Sequence, residues 1–172
     1  YVEGTEAPLA YDPGPDADGD ARGLPNYLEQ VVPDPSGRIG AIPALKANVE
    51  RGMYLEGLAH SFDTTVRADL RLVQLSDGTE RDPVSFDSRD RVGAVAWDPR
   101  GHLLFAATWG AETLEVIDPF SQRIVGGAFD TGHGVRGLWA DGEDRVYLDA
   151  SLSRELVILA RGSGTWSTVE AR

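Results

Sequence analysis

The chain has 172 residues, 41% of them hydrophobic, and a mean hydropathy of −0.26; this suits one domain with a core and not a disordered tail. Its 16 basic and 28 acidic side chains give a net charge of −12, and so acidic a surface argues against nucleic acid or anionic lipid as partners. The absence of cysteine excludes disulfides, thiol nucleophiles, cysteine–zinc sites and a covalently attached c-type haem within the chain, and no apolar run approaches the ~20 residues of a membrane-spanning helix.

Tyr1 opens the chain with neither an initiator methionine nor a charged-then-apolar leader, so a removed leader or a start within a longer protein is expected. Residues 1–25 read as a loop, with one outer strand around Tyr1. Within them Asp16, Asp18 and Asp20 alternate as at the start of a calcium loop. The EF-hand form needs glycine at its sixth position and glutamate at its twelfth, where Ala21 and Tyr27 stand. A solvated acidic loop is the favoured reading, with bound calcium the alternative.

The rest of the chain has the texture of short strands and tight turns. Residues 26–32 and 38–43 flank the turn Asp34-Pro35-Ser36-Gly37, and residues 70–75 and 84–86 follow. A second unit runs through 92–97, the turn Asp98-Pro99-Arg100-Gly101, then 102–108, 113–117 and 122–129. A third runs through 135–139, a turn at 141–144, then 145–148, 155–159 and 164–169. Apolar residues recur at a spacing of 42: Trp97 and Trp139, Phe105 and Tyr147, Leu114 and Leu156, Val116 and Ile158, Ile124 and Trp166. The first turn precedes the second by 64 residues, so the first unit carries about 22 extra, an insertion placed at 48–69.

Four short strands per ~42 residues, apolar on both faces, are the pattern of a β-propeller blade. A β-sandwich also has short strands but gives no reason for a fixed four-strand period. The expected architecture is all-β: residues 1–25 as a loop, then blades over 26–91, 92–133 and 134–172. Propellers usually close with four to eight blades, so three imply a segment of a larger ring or closure against another chain. Insertions in such repeats map to one rim, often the working rim.

The run AVAWDPRGHLLFAATWGAETLEVID resembles the repeat of YVTN-type β-propellers: Asp98, Pro99 and Gly101 match its turn, and Val116-Ile117-Asp118 its Val-Ile-Asp ending. Gly132 and Gly137-Leu138 match its inter-blade loop, with Val135 where proline is usual. Pro43, Lys46, Asn48, Arg51 and Gly52 are similar to a bacterial extracytoplasmic subgroup associated with, or fused to, di-haem cytochrome c peroxidase-like or cytochrome c domains. The resemblance implies a periplasmic or extracellular setting and a c-type cytochrome or haem peroxidase-like partner. Any haem would sit on that fused or partner domain.

Candidate contact residues follow from position. His60 and Arg51 lie in the insertion, His133 and Arg136 in an inter-blade loop, Trp109 at a strand end beside Gly110, and Arg67 near the insertion's end. His102 follows a turn and reads as an exposed strand start, while Trp97, Trp139 and Trp166 read as inter-blade packing. Gly132-His133-Gly134-Val135-Arg136-Gly137 spells Gly-x-Gly-x-x-Gly but opens a strand, so no helix N-terminus is there to hold a pyrophosphate. Lys46 is the only lysine, and the arginine- and aspartate-rich remainder reads as coding bias or a salt-adapted surface. No catalytic constellation stands out. The leading expectation is a non-enzymatic binding scaffold. The alternatives are a lactonase-like propeller with a metal in its central channel and a structural component that self-associates.

Overall fold

The computed structural model describes residues 9–14, 22–48, 66–162 and 165–171. Among them the backbone forms thirteen strands and no helix, arranged as three antiparallel sheets. The first sheet holds β1 (Leu24–Asn26), β2 (Val32–Pro33), β3 (Ile39–Ala47), β4 (Val66–Gln74) and β5 (Val84–Phe86). Here β1 and β2 share one edge of β3, opposite residues 45–47 and 40–41. The single inner strand expected at 26–32 is therefore two short pieces. Tyr27, at φ 53°, takes the chain out of the extended region where β1 ends. Pro43, with no N–H to give, falls in the interval between the two pieces. β4 begins at Val66, so residues 66–69 of the expected insertion are strand.

The other two sheets are four-stranded meanders. One contains β6 (Val92–Trp97), β7 (Leu104–Thr108), β8 (Thr113–Asp118) and β9 (Arg123–Phe129); the other contains β10 (Val135–Ala140), β11 (Arg145–Ala150), β12 (Glu155–Arg161) and β13 (Trp166–Ala171). Each sheet's opening hairpin is closed by an aspartate. Asp34 accepts from the N–H groups of Arg38 and Ile39 at 2.6 and 2.9 Å, and Asp98 from His102 and Leu103 at 2.5 and 2.8 Å. Asp141 accepts from Glu143 and Arg145 at 2.7 and 3.2 Å. His102 itself is exposed.

Alternation along β7 and β8 divides the middle sheet between two cores. Leu104, Ala106 and Ile117 pack on the first sheet with Leu70, Leu72 and Phe86; Phe105, Ala107, Leu114 and Val116 pack on the third with Val146, Leu148, Val157 and Leu159. The inner strands β6 and β10 approach so closely that a Cβ on Gly93 would lie 2.2 Å from the Val135 carbonyl oxygen. Sheets that meet at their inner edges and bury both faces are blades about a common axis.

The tryptophans do not all occupy the positions expected of them. Trp97 lies opposite Leu104, whereas Trp139 lies opposite Tyr147, the counterpart of Phe105. Trp139 therefore corresponds to Ala96, and Trp97 to Ala140. One residue of displacement reverses the face. Trp97 is buried and donates from Nε1 to the Val32 carbonyl at 2.9 Å, while Trp139 is 60% exposed and belongs to no inter-blade core. Trp166 is buried edge-on against Phe105, with ring centroids 5.3 Å apart.

Candidate functional site

The two rims of the blades differ. One carries the aspartate-closed turns. The other carries the connections into each inner strand and the loop after β7. On this second rim Trp109 is held by its backbone: its N–H donates to the Arg91 carbonyl at 2.9 Å, and its carbonyl accepts from Gly134 N–H at 2.6 Å. β3 also ends on this side, at Ala47, since it starts at the aspartate turn.

A cleft of about 380 Å³ opens here, lined by Glu29, Gln30, Arg91, Gly93, Trp109 and Arg136. The indole is half-buried. The Arg91 guanidinium carbon lies 4.3 Å, and that of Arg136 5.0 Å, from its ring centroid, distances at which the electron-rich face attracts each cation. Arg91 is also paired with Glu29. Arg136 is exposed and has no carboxylate partner among the described residues.

Two β-bulges shape the cleft. Pairing slips by one residue between Val92 and Ala94 in β6 and between Val135 and Gly137 in β10. The extra residues, Gly93 and Arg136, occupy the same place in successive blades. A bulge bends its strand and re-aims the side chain it carries. At the first bulge glycine leaves room for the Trp109 ring, whose Cε3 would lie 3.3 Å from a Cβ there. At the second, arginine is turned towards the same ring.

The structure brings Trp109 and Arg136 together. His133 stands nearby on the same rim, where its Nε2 lies 2.6 Å from Glu112 Oε1, with both side chains partly exposed. Its N–H donates to Ser153 Oγ at 2.8 Å. Gly132 and Gly134 adopt φ of 77° and 69° as the loop leads into β10, so the glycine-rich run is a turn into a strand.

Arg67 stands apart from that group. It is 2% exposed and lies 2.5 Å from Asp87 Oδ1, on the outward face of β4 and away from the cleft. The adjacent Ala68 faces the core with Leu70 and Leu72, so the period of two places Arg67 on the opposite face of the strand, where it is nonetheless buried. Arg51 and His60, and the aspartates Asp16, Asp18 and Asp20, lie outside the described residues. Among the described residues no cluster of three or more histidine or carboxylate side chains is placed to hold a metal ion.

Sequence reading missed Arg91, Glu29 and Gln30. Arg91 lies immediately before an inner strand, a position visible in the sequence, but its approach to Trp109 depends on the bulge. Glu29 and Gln30 reach the rim because the first inner strand is broken, which the residue pattern does not show.

No family profile and no curated protein matches this sequence. Solved structures do match its fold. Hydrazine synthase from Kuenenia stuttgartiensis superposes with a TM-score of 0.62 at 13% identity, over 80% of this chain and 46% of that one. The periplasmic gluconolactonase PpgL of Pseudomonas aeruginosa gives 0.53 at 15% identity, over 84% and 53%. The WD40 repeats of RRP9 give 0.54 at 12% identity, over 80% and 49%. The chain is thus three blades of a β-propeller and spans about half the length of these structures. Identities this low carry the fold alone.

Proposed function

We propose that the chain is a non-enzymatic binding scaffold whose contact site is the Arg91–Trp109–Arg136 cleft. The observation that carries this reading is Arg136, set on a bulge and turned over an indole with no carboxylate partner among the described residues. An exposed guanidinium beside a rigid aromatic suits recognition of a carboxylate-bearing surface, because tryptophan and arginine anchor interfaces and a fork of donors fits a carboxylate. Two arginines against one glutamate also give the cleft a local positive character on a strongly acidic molecule, which focuses anionic groups there.

The resemblance to cytochrome-associated propellers suggests that the partner is a c-type cytochrome or haem peroxidase-like domain outside the cytoplasm. The test is a titration of the protein with a soluble di-haem c-type peroxidase domain, comparing wild type with Arg136→Ala and Trp109→Ala. Saturable binding weakened about tenfold or more by each substitution is expected, as for an anchor residue losing more than 1.4 kcal/mol. No wild-type binding, or binding that ignores both substitutions, rejects the reading.

A second reading is lactone hydrolysis, favoured by the His133–Glu112 pair on the same rim and consistent with the gluconolactonase among the fold's neighbours. An oriented histidine could serve as a general base towards water. Turnover of glucono-δ-lactone that is lost in His133→Ala would select it.

A further inference from the structure

The second and third blades also meet on the rim of the aspartate turns, the rim opposite the Trp109 cleft. The two turns touch there, since a Cβ on Gly142 would lie 3.2 Å from Pro99 Cγ. Beside that contact, between the blades, is a cavity of about 270 Å³ whose lining includes Arg100, Leu103, Phe105, Ala140, Arg161 and Trp166. A break in the repeat lies at this cavity. Trp97 and Ala140 end the inner strands of successive blades, opposite Leu104 and Val146, and each packs into the core shared with the preceding blade. Trp97 fills its place with an indole that donates to the Val32 carbonyl at 2.9 Å. At the equivalent place Ala140 offers only a methyl group, and the cavity lies against it. Phe105 and Trp166, edge to face at 5.3 Å, supply aromatic walls.

The charged groups around the cavity are unequally engaged. Two carboxylates line it, Asp98 and Asp144. Asp98 accepts from the backbone N–H groups of Arg100, His102 and Leu103, so its own turn holds it. Asp144 lies 3.9 Å from Arg161, too far for a hydrogen bond. The Arg100 side chain has neither a carboxylate nor a hydrogen-bond partner among the described residues. Alternation along β12 sets Arg161 on the same face as Val157 and Leu159, the face turned to the second blade. Two guanidinium groups with donors to spare thus border an aromatic hollow.

We propose that this cavity binds a small arylcarboxylate, its flat ring seated where the repeat omits an indole and its carboxylate set against Arg100 and Arg161. A concave site with apolar walls and a few convergent polar groups is the usual form of a small-molecule site. Phe105 and Trp166 suit a flat ring, which packs offset or edge-on against them. A guanidinium fork fits a carboxylate, and the charge strengthens each hydrogen bond. On a molecule of net charge −12, two under-used cations at one mouth also single out this place for an anion.

The test is a calorimetric titration with indole-3-acetate and its neutral counterpart indole-3-acetamide, with proton–nitrogen correlation spectra to locate the ligand. The acetate should bind saturably, and the amide about tenfold or more weaker, as expected for losing a charge-assisted contact. Arg161→Gln, at an exposed position clear of the core, should weaken the acetate about tenfold as well. Ala140→Trp restores the indole of the preceding blade and should abolish binding. The Trp166 Nε1–H resonance should move during the titration while that of Trp109 stays. No saturable binding, equal affinity for the amide, or an Arg161→Gln variant that binds as wild type overturns the proposal. A shift at Trp109 without one at Trp166 overturns it too, because the anion would then sit in the cleft on the other rim.

Discussion

Gly93 illustrates how much can hang on a single missing methyl group. It occupies the bulge of β6 where the neighbouring blade's backbone passes closest, and an added Cβ would meet the Val135 carbonyl oxygen at 2.2 Å. Backbone cannot rotate away as a flexible side chain can, so the two inner strands must part. Gly93→Ala is expected to cost about 1–3 kcal/mol, as overpacking does, and to weaken any ligand of the Trp109 cleft, whose wall it moves. Thermal unfolding followed by circular dichroism checks the first effect; an unchanged midpoint would mean that the strands accommodate the methyl group. The counterpart residue, Arg136, makes the opposite use of the same bulge. Its nearness to the inter-blade loop was legible in the sequence, though the structure places Arg136 within β10, and so was Trp109 at a strand end. That the two would meet was not, because a bulge shifts pairing by one residue without changing the composition of the strand. Trp139 shows the same blindness from the other side. Its spacing from Trp97 is that of the repeat, yet the hairpin turn after β10 differs in length from that after β6, and the side chain points away from the core.

At the scale of elements, the segment over residues 9–14 is tied to the first blade by charge. Burial would raise the Asp12 carboxyl, but the hydrogen bonds from Lys46 Nζ and Gly14 N–H, with the nearby positive charges, outweigh it and hold that carboxyl below its usual range. Asp34 is lowered in the same way, its burial outweighed by hydrogen bonds from Ile39, Ser36 and Arg38. A carboxyl whose folded pKa is depressed contributes stability that is present above the unfolded value near 3.9 and is lost as pH falls through the folded one. The tie should therefore hold at neutral pH and fail in acid, below about pH 4. Asp12→Asn removes the charge at every pH and takes from the buried Lys46 its ion pair with Asp12; it should be less stable than wild type at neutral pH and nearly equal to it in strong acid. Denaturant titrations at the two pH values check this, and a difference that persists in acid would show that the carboxylate is not the source. The strands themselves were readable because β-branched and aromatic residues alternate with turn signals. The tie was not. Lys46 read as an exception in an arginine-rich composition and as one residue of a family resemblance, and only the fold shows it 1% exposed and hydrogen-bonded to Asp12.

For the molecule as a whole, the middle blade is shared by two separate cores, and this sets how damage should spread. The repeat of four strands makes the blades visible in the sequence, since each unit must bury both its faces on neighbours. Which residue serves which neighbour follows from alternation along β7 and β8. Phe105 belongs wholly to the core between the second and third blades, where it meets Trp166 edge-on; Leu104, next to it, belongs wholly to the core between the first and second. Phe105→Ala should cost about 3–5 kcal/mol, the usual loss for truncating a buried phenylalanine. In a stack held by nearest-neighbour contacts that loss falls first on the third blade, whose buried side chains, among the described residues, lie in this core alone. Amide exchange should therefore accelerate across β10 to β12 while β3 and β4, whose core lacks Phe105, keep their protection. Leu104→Ala should open the other interface instead, with β3 and β4 losing protection and β10 to β12 spared. If both substitutions accelerated exchange evenly across all three blades, the stack would be unfolding as one unit, and the division into two cores would have no energetic meaning.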